Sequence, residues 1–519
     1  MLPKIILALL ILATCCTASE MWKSEWVYYD KNGKLVYKKD ALGNRIPDFG
    51  KVGYKKGLAP PVVPVVLVLS PTPGDSTQRI QDAITQVAKL PMQKNGFRGT
   101  ILLMRGCHEI TKPIRLNQSG IVLRGEGKGA GGTQIFVTSK KGITAISLGG
   151  GRKPREVKGS RVKITNAYVP VGTNQISLES IAGYKVGDSI RLIRPATEKW
   201  IHDLRMDQIP TRSGGESITQ WSPENYGTHA DRVIEKIDGK TITIDQSVVM
   251  EISDSYGGGY VCRLGKDQRV RNSAVESMML MSHFDTTVKA KHKNEDYYSD
   301  GNHAMKGIVI NSAVDCWVRN ITTKYFGYAA VSIGGGATYI SVFQCRYEAP
   351  VSVIVGGQRY AFEINGQLSL VYDCEADKAR HSFVTSPRVS GPNVFAKCRA
   401  TNAYADCGPH QRWAMGFLYD QVEAVNGAIN VIDRGSHGSG HGWAGVNHVL
   451  WNCQTRSIGV HSPWVTGKNY VIASEGRASP PRYSKGSPSA IWEKADRRPL
   501  EIESLYMAQH KEWLSLSRK

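Results

Sequence analysis

Beyond its first residues, the 519-residue chain has no apolar run long enough to cross a bilayer, which excludes later membrane-spanning helices. Acidic residues are few beside basic ones: 45 Asp and Glu stand against 66 Lys and Arg, a net charge of +21. That imbalance favours polyanionic partners, whether nucleic acid, an acidic polysaccharide or an anionic surface. No segment combines basic and aromatic residues in the manner of a nucleic-acid motif, so nucleic acid is set aside. Helical periodicity is also lacking between the apolar segments, which disfavours leucine-rich and helical repeats. The His pair in "DRGSHGSGHGWAG" has no fixed carboxylate or Cys partner, so no metal site is assigned and calcium stays an open requirement.

The chain begins with a short basic start, an apolar run over residues 5–13 and small residues before Ser19. This pattern predicts a secretory signal cleaved after Ala18. The alternative is a lipid anchor at Cys15, for which the preceding "LATC" is a poor match. The mature protein is therefore expected to be exported, extracellular or periplasmic, without a transmembrane segment, and monomeric. Its expected partner is an acidic polysaccharide.

Ten cysteines in an exported chain raise the question of disulfides. Five of them answer it by context: "AVDCWV" at Cys316, "VFQCRY" at Cys345, "VYDCEA" at Cys374, "FAKCRA" at Cys398 and "LWNCQT" at Cys453. Their intervals are 29, 29, 24 and 55 residues, the last about twice the others. A period in the twenties marks a solenoid. Segments such as "GIVINSAVDCWVRNI" alternate as strands do and end at Gly, Pro or Asn. The expectation is a β-solenoid in which these Cys stack as small buried side chains. Cys107 and Cys407 fall outside the pattern and are expected to be free.

"SPTPGDSTQRIQDAITQVAKLP" places Asp75 or Ser76 as N-cap before Ile80, Ile84 and Val87 on one face of a short helix. It leads into three short strands and would cover the open end of the solenoid. "DSTQRIQDAI", "GTILLMRGCHEI" and "SGIVLRGEGKGAGGT" resemble the opening coils of the pectate-lyase superfamily. The later "RHSFVTSPRVSGPNVF", "DCGPHQRW" and "GSGHGWAGVNHVLWNC" are similar to secreted bacterial members of uncertain substrate. The resemblance implies an all-β, right-handed parallel β-helix. The calcium-binding Asp cluster and arginine signature of true pectate lyases are not evident, which puts pectate in doubt as the substrate.

The organisation expected is a signal at 1–18, an extended arm at 19–60, the capping helix and first coils at 61–150 and a β-rich insertion at 151–255. The main coils follow at 256–480, then a tail at 481–519 whose short helix closes the far end. Trp200 and Trp221 in the insertion are read as packing residues, with sugar stacking as the alternative.

Arg359, Arg388 and Arg412 each lie 14 residues after a ladder Cys. Equal offsets predict a rail of guanidiniums, one per coil, for successive carboxylates or sulfates. Around it fall Tyr360, Arg380, His381, His410 and Trp413, while "DRGSHGSGHGWAG" adds Arg434, His437 and His441. Asp300, His303 and Lys306 lie at a groove edge or cap a turn. The strip fits β-elimination on a uronate chain: a cation for the carboxylate, a base for the C5 proton and an acid for the leaving oxygen. Arg412 or Arg388 would neutralise, His410 or His381 act as base and Tyr360 as acid. A glycoside hydrolase would instead need two flanking carboxylates, among which Asp406, Glu363 and Asp420 are available. The third reading is a glycan-binding β-helix without catalysis.

Overall fold

The computed structural model describes residues 20–211 and 217–517. The predicted signal and the alternative anchor at Cys15 lie outside the described residues. The chain forms a parallel β-helix whose coils contribute strands to a 22-stranded sheet and a seven-stranded sheet. One column of in-register partners runs Ser341, Leu370, Val394, Leu418, Val449, Tyr470, Ile491, one residue per coil. A neighbouring column reads Arg346, Glu375, Arg399, Glu423, so opposite charges face each other across adjacent strands. Inside, Ile, Val, Leu, Phe and Cys side chains fill the coils as one continuous core.

The cysteine ladder occupies a fixed corner of the coil. The residue before each rung has a left-handed backbone: Asp315, Gln344, Asp373, Lys397 and Asn452 have φ between 50° and 54°. That conformation turns the chain sharply and lets the next side chain point inward. Cys316, Cys345, Cys374, Cys398 and Cys453 are all buried and free. The doubled interval is explained by Gln421, with φ 53°, which sets buried Val422 on the rung between Cys398 and Cys453. Backbone bonds from Glu423 to Cys398 and from Gln454 to Val422 continue the stack.

The helix Thr77–Ala88 buries Ile80, Ile84 and Val87 on the first coils. Ser76 holds the N-cap position without a side-chain bond, while Asp75 accepts the Thr77 N–H at 2.9 Å. The insertion is a six-stranded antiparallel sheet whose chain-order limits are Val162–Lys163 and Tyr260–Arg263. Trp200 and Trp221 are buried in its packing against the coils, beside Trp413 and Trp443. The arm is not merely extended: Val27–Tyr29 and Leu35–Tyr37 pair as a hairpin. Nor does the C-terminal helix, Leu505–Ser517, close the end of the solenoid. Leu505 and Tyr506 pack with Val27, Phe49, Leu418 and Trp451, along the outer flank of the coils. Asp420 fixes it there, accepting from Ser504 Oγ at 2.6 Å and the Tyr506 N–H at 2.8 Å. Among the described residues, no helix is long and apolar enough to cross a membrane.

Candidate functional site

The seven-stranded sheet carries the site. Tyr360 opens the strand Tyr360–Ile364 and pairs in register with His381, which opens His381–Thr385. In the next coil Val384 pairs with Gly408 and Thr385 with Pro409, and the His410 N–H donates to the Thr385 carbonyl at 2.9 Å. Three consecutive coils thus bring Tyr360, His381 and His410 together. Tyr360 Oη and His410 Nε2 are 3.0 Å apart. The His410 ring lies 4.7 Å from His381 and 5.1 Å from His441, centroid to centroid.

Burial, then the charges of His381 and Arg434, push the His410 imidazole down to about 2, so it stays neutral. His441 is lowered to about 4 by burial and then by Arg412 and Arg434. Tyr360 is raised by burial, an effect that Arg380 opposes. The Arg380 guanidinium lies 3.5 Å from Tyr360 Oη and also donates to the Gly356 carbonyl. His381 is fixed from behind, with Nδ1 3.1 Å from Asp406 Oδ1 and 2.8 Å from the Asp406 carbonyl. Burial opposes ionisation of Asp406, yet Arg434 and His381 outweigh it and hold the carboxyl well below the usual range. Among the described residues, His381 Nε2, His410 Nδ1 and His441 Nδ1 have no hydrogen-bond partner.

The guanidinium rail does not form. Tyr360 pairs with His381, so the residue in register with Arg359 is Arg380, not Arg388. The reason is turn length: residues 349–359 lead into the strand at Tyr360, whereas 378–380 suffice one coil later. Arg359 is buried, donating to the Ser352 carbonyl at 2.6 Å between the rings of Tyr297 and Tyr404. Arg388 and Arg412 are neighbours, the N–H of the first bonding the carbonyl of the second. Arg388 is exposed over the Tyr226 ring, and Arg412 is tied to Ser439 Oγ at 2.7 Å.

Three further expected substrate contacts change character. Trp413 is fully buried, with Nε1 directed at Met250 Sδ, and serves packing. Arg434 is buried against the Asp406 carboxylate and positions it. His437 packs edge-on to Tyr483, 5.4 Å away. The loop bearing Arg434, His437 and His441 is braced by the insertion, where the Thr219 N–H donates to the Ser439 carbonyl. Asp300 and His303 belong to a turn: Asp300 accepts the Asp285 N–H, and buried His303 bonds the Val351 carbonyl.

Glu363 is also spoken for, accepting from Tyr328 Oη at 3.2 Å, Ser332 Oγ at 2.7 Å and Ser386 Oγ at 2.9 Å. Among the described residues, no group of three or more His, Cys, Asp or Glu could hold a metal ion. Cavities of about 760 Å³ around Trp464 and about 430 Å³ around Asp315 include none of the clustered residues. Tyr360 and His381 are buried, while Arg380, His410 and His441 are half-buried.

No protein-family model matches this chain, and no curated protein sequence matches it. Its structure is similar to tailspike gp49 of Pseudomonas phage LKA1, with 12% identity, a TM-score of 0.36, and 69% of this chain and 55% of that one covered. The E. coli bacteriophage HK620 tailspike, solved with a pentasaccharide, gives 12% identity and a TM-score of 0.39 over 91% and 59% of the two chains. PfbA, a surface adhesin of Streptococcus pneumoniae, gives 10% and 0.33 over 80% and 88%. The chain spans little more than half the length of either tailspike.

Sequence reasoning missed the support beneath the site. Nothing in the spacing links Asp406 to both Arg434 and His381, because Arg434 arrives from the following coil. Tyr328 and Glu363 were also invisible as partners. The one usable signal was Arg followed by a ring-bearing residue at the strand opening, as in "QRYAF" and "ARHSF".

Proposed function

We propose that this protein is a polysaccharide lyase that cleaves an acidic, uronate-containing glycan by β-elimination. The observation that carries the reading is the 3.0 Å contact between Tyr360 Oη and His410 Nε2, with Arg380 beside the same oxygen. Arg380 stabilises charge on the sugar carboxylate as the C5 proton leaves. His410 accepts that proton, and Tyr360 gives its phenolic proton to the departing glycosidic oxygen. Transfer from the imidazolium to the phenolate along their hydrogen bond then resets both groups. Asp406 and Arg434 hold His381 in place behind them. A hydrolase would need two carboxylates flanking the bond, but Asp406 is committed to Arg434 and His381, Glu363 to three hydroxyls, and Asp420 to the C-terminal helix. The reading includes export, a pectate-lyase-like ancestry, monomeric action and the six residue ranges given above, with a hairpin in the arm and the C-terminal helix on the flank of the coils.

The test is incubation with ulvan, alginate, pectate, glycosaminoglycans and sulfated fucans, following ultraviolet absorbance of unsaturated uronates and reducing ends together. Both should rise on one glycan. His410→Ala should lower turnover by roughly 10²–10⁴-fold while leaving affinity for that glycan in place. Reducing ends without absorbance would overturn elimination in favour of hydrolysis.

A further inference from the structure

The strip extends past the reacting pair. Lys306 opens the strand Lys306–Ile310 and pairs with Ala329, the first residue of Ala329–Ile333. Val331 pairs with Phe362, which puts Ala329 level with Tyr360 two residues earlier in each strand. Lys306, Ala329, Tyr360 and His381 therefore share one column, one residue per coil. Two inter-strand steps separate Lys306 from Tyr360, or about 10 Å at the usual spacing of about 4.8 Å.

The interval is bridged by Tyr328. Lys306 Nζ lies 4.3 Å from the centre of its ring, and that ring lies 5.3 Å from the ring of Tyr360. Both Lys306 and Tyr328 are half-buried. No carboxylate among the described residues pairs with Lys306, in contrast to Lys324, which meets Glu348 at 3.3 Å. The nearby acid, Glu363, accepts from the hydroxyls of Tyr328, Ser332 and Ser386 and forms no ion pair with Lys306. A cation without a carboxylate partner is what the acid group of an anionic sugar requires, and the Tyr328 ring beneath it holds the ammonium in place.

We infer that Lys306 and Tyr328 form a distal subsite for an anionic sugar, two units along the chain from the uronate cleaved at Tyr360 and His410. One coil step is close to one sugar unit, so the bound glycan lies along the solenoid axis and carries acid groups at least on alternate residues. This rests on the lyase reading for its reference point, but binding alone tests it.

Size-fractionated oligouronates from alginate, pectate and ulvan would be titrated calorimetrically into full-length His410→Ala protein, with and without Lys306→Met or Lys306→Arg. In the parent, affinity should step up once the oligomer is long enough to span both positions. Lys306→Met should remove roughly tenfold at that step and leave shorter oligomers unaffected, whereas Lys306→Arg should keep it. An unchanged step in Lys306→Met, or no binding of any oligouronate, overturns the subsite. A Lys306-dependent step without unsaturated product from the wild-type protein would keep the subsite and remove the lyase.

Discussion

His410 illustrates how position alters a side chain's chemistry. An exposed imidazole titrates near neutrality, but burial and neighbouring cations keep this one uncharged throughout the working range. Tyr360→Phe removes only the phenolic oxygen, so kinetics should show turnover reduced by at least about 10²-fold with glycan affinity retained. A purely packing role for Tyr360 would leave turnover unchanged. His448 shows the same depression away from the site: it is fully buried, bonds the Ala414 carbonyl at 3.1 Å and is lowered to about 3. The unfolded chain binds a proton there below about pH 6.5 and the folded chain does not, so its contribution to stability is lost as pH falls. In His448→Gln, denaturation curves between about pH 4 and 6 should show the pH slope of stability reduced by about 1.4 kcal/mol per unit.

Among the elements, the C-terminal helix depends on one carboxyl. Burial raises Asp420 to about 7, partly offset by Ser504 Oγ and the N–H groups of Tyr506 and Leu505. Asp420→Ala leaves those donors unmet, which should cost about 1–3 kcal/mol and speed amide exchange across Leu505–Ser517 ahead of the core strands. The cysteine corner makes a separate prediction. Of the eight free cysteines described, only Cys107 is exposed. Native protein should take up alkylating label at Cys107 alone, with Cys262, Cys316, Cys345, Cys374, Cys398, Cys407 and Cys453 reacting after denaturation. Mass spectrometry of labelled peptides reads this directly, and blocked thiols in denatured, unreduced protein would contradict the free ladder.

Over the whole molecule, a net charge of +21 acts through space on any polyanion. Affinity for an acidic glycan should fall steeply as salt rises from about 0.01 to 0.15 M, because the screening length shrinks from about 30 to 8 Å. Titrations at the two salt concentrations check it; equal affinities would mean that local packing alone holds the ligand. The solenoid gives the charge a long surface, and the insertion braces the loop that brings His441 beside His410.

The sequence by itself determined the repeat. Each coil must bury the same inward positions, so "VDC", "YDC" and "WNC" recur with their strands and predict a β-solenoid, which the resemblance of the opening coils narrows to a parallel β-helix. It also drew attention to Tyr360, His381 and His410, which lie near the equally spaced Arg359, Arg388 and Arg412 in the chain, although the rail itself does not form. Tertiary structure alone decided which of these meet. Turn lengths differ from coil to coil, so equal distances along the chain do not give equal heights on the face. Arg359 consequently falls beneath Tyr297 and Tyr404, while Arg380 takes the place beside Tyr360. Asp406, Arg434 and His381 come from different coils, and only the stacking of strands places a buried charge behind the imidazole.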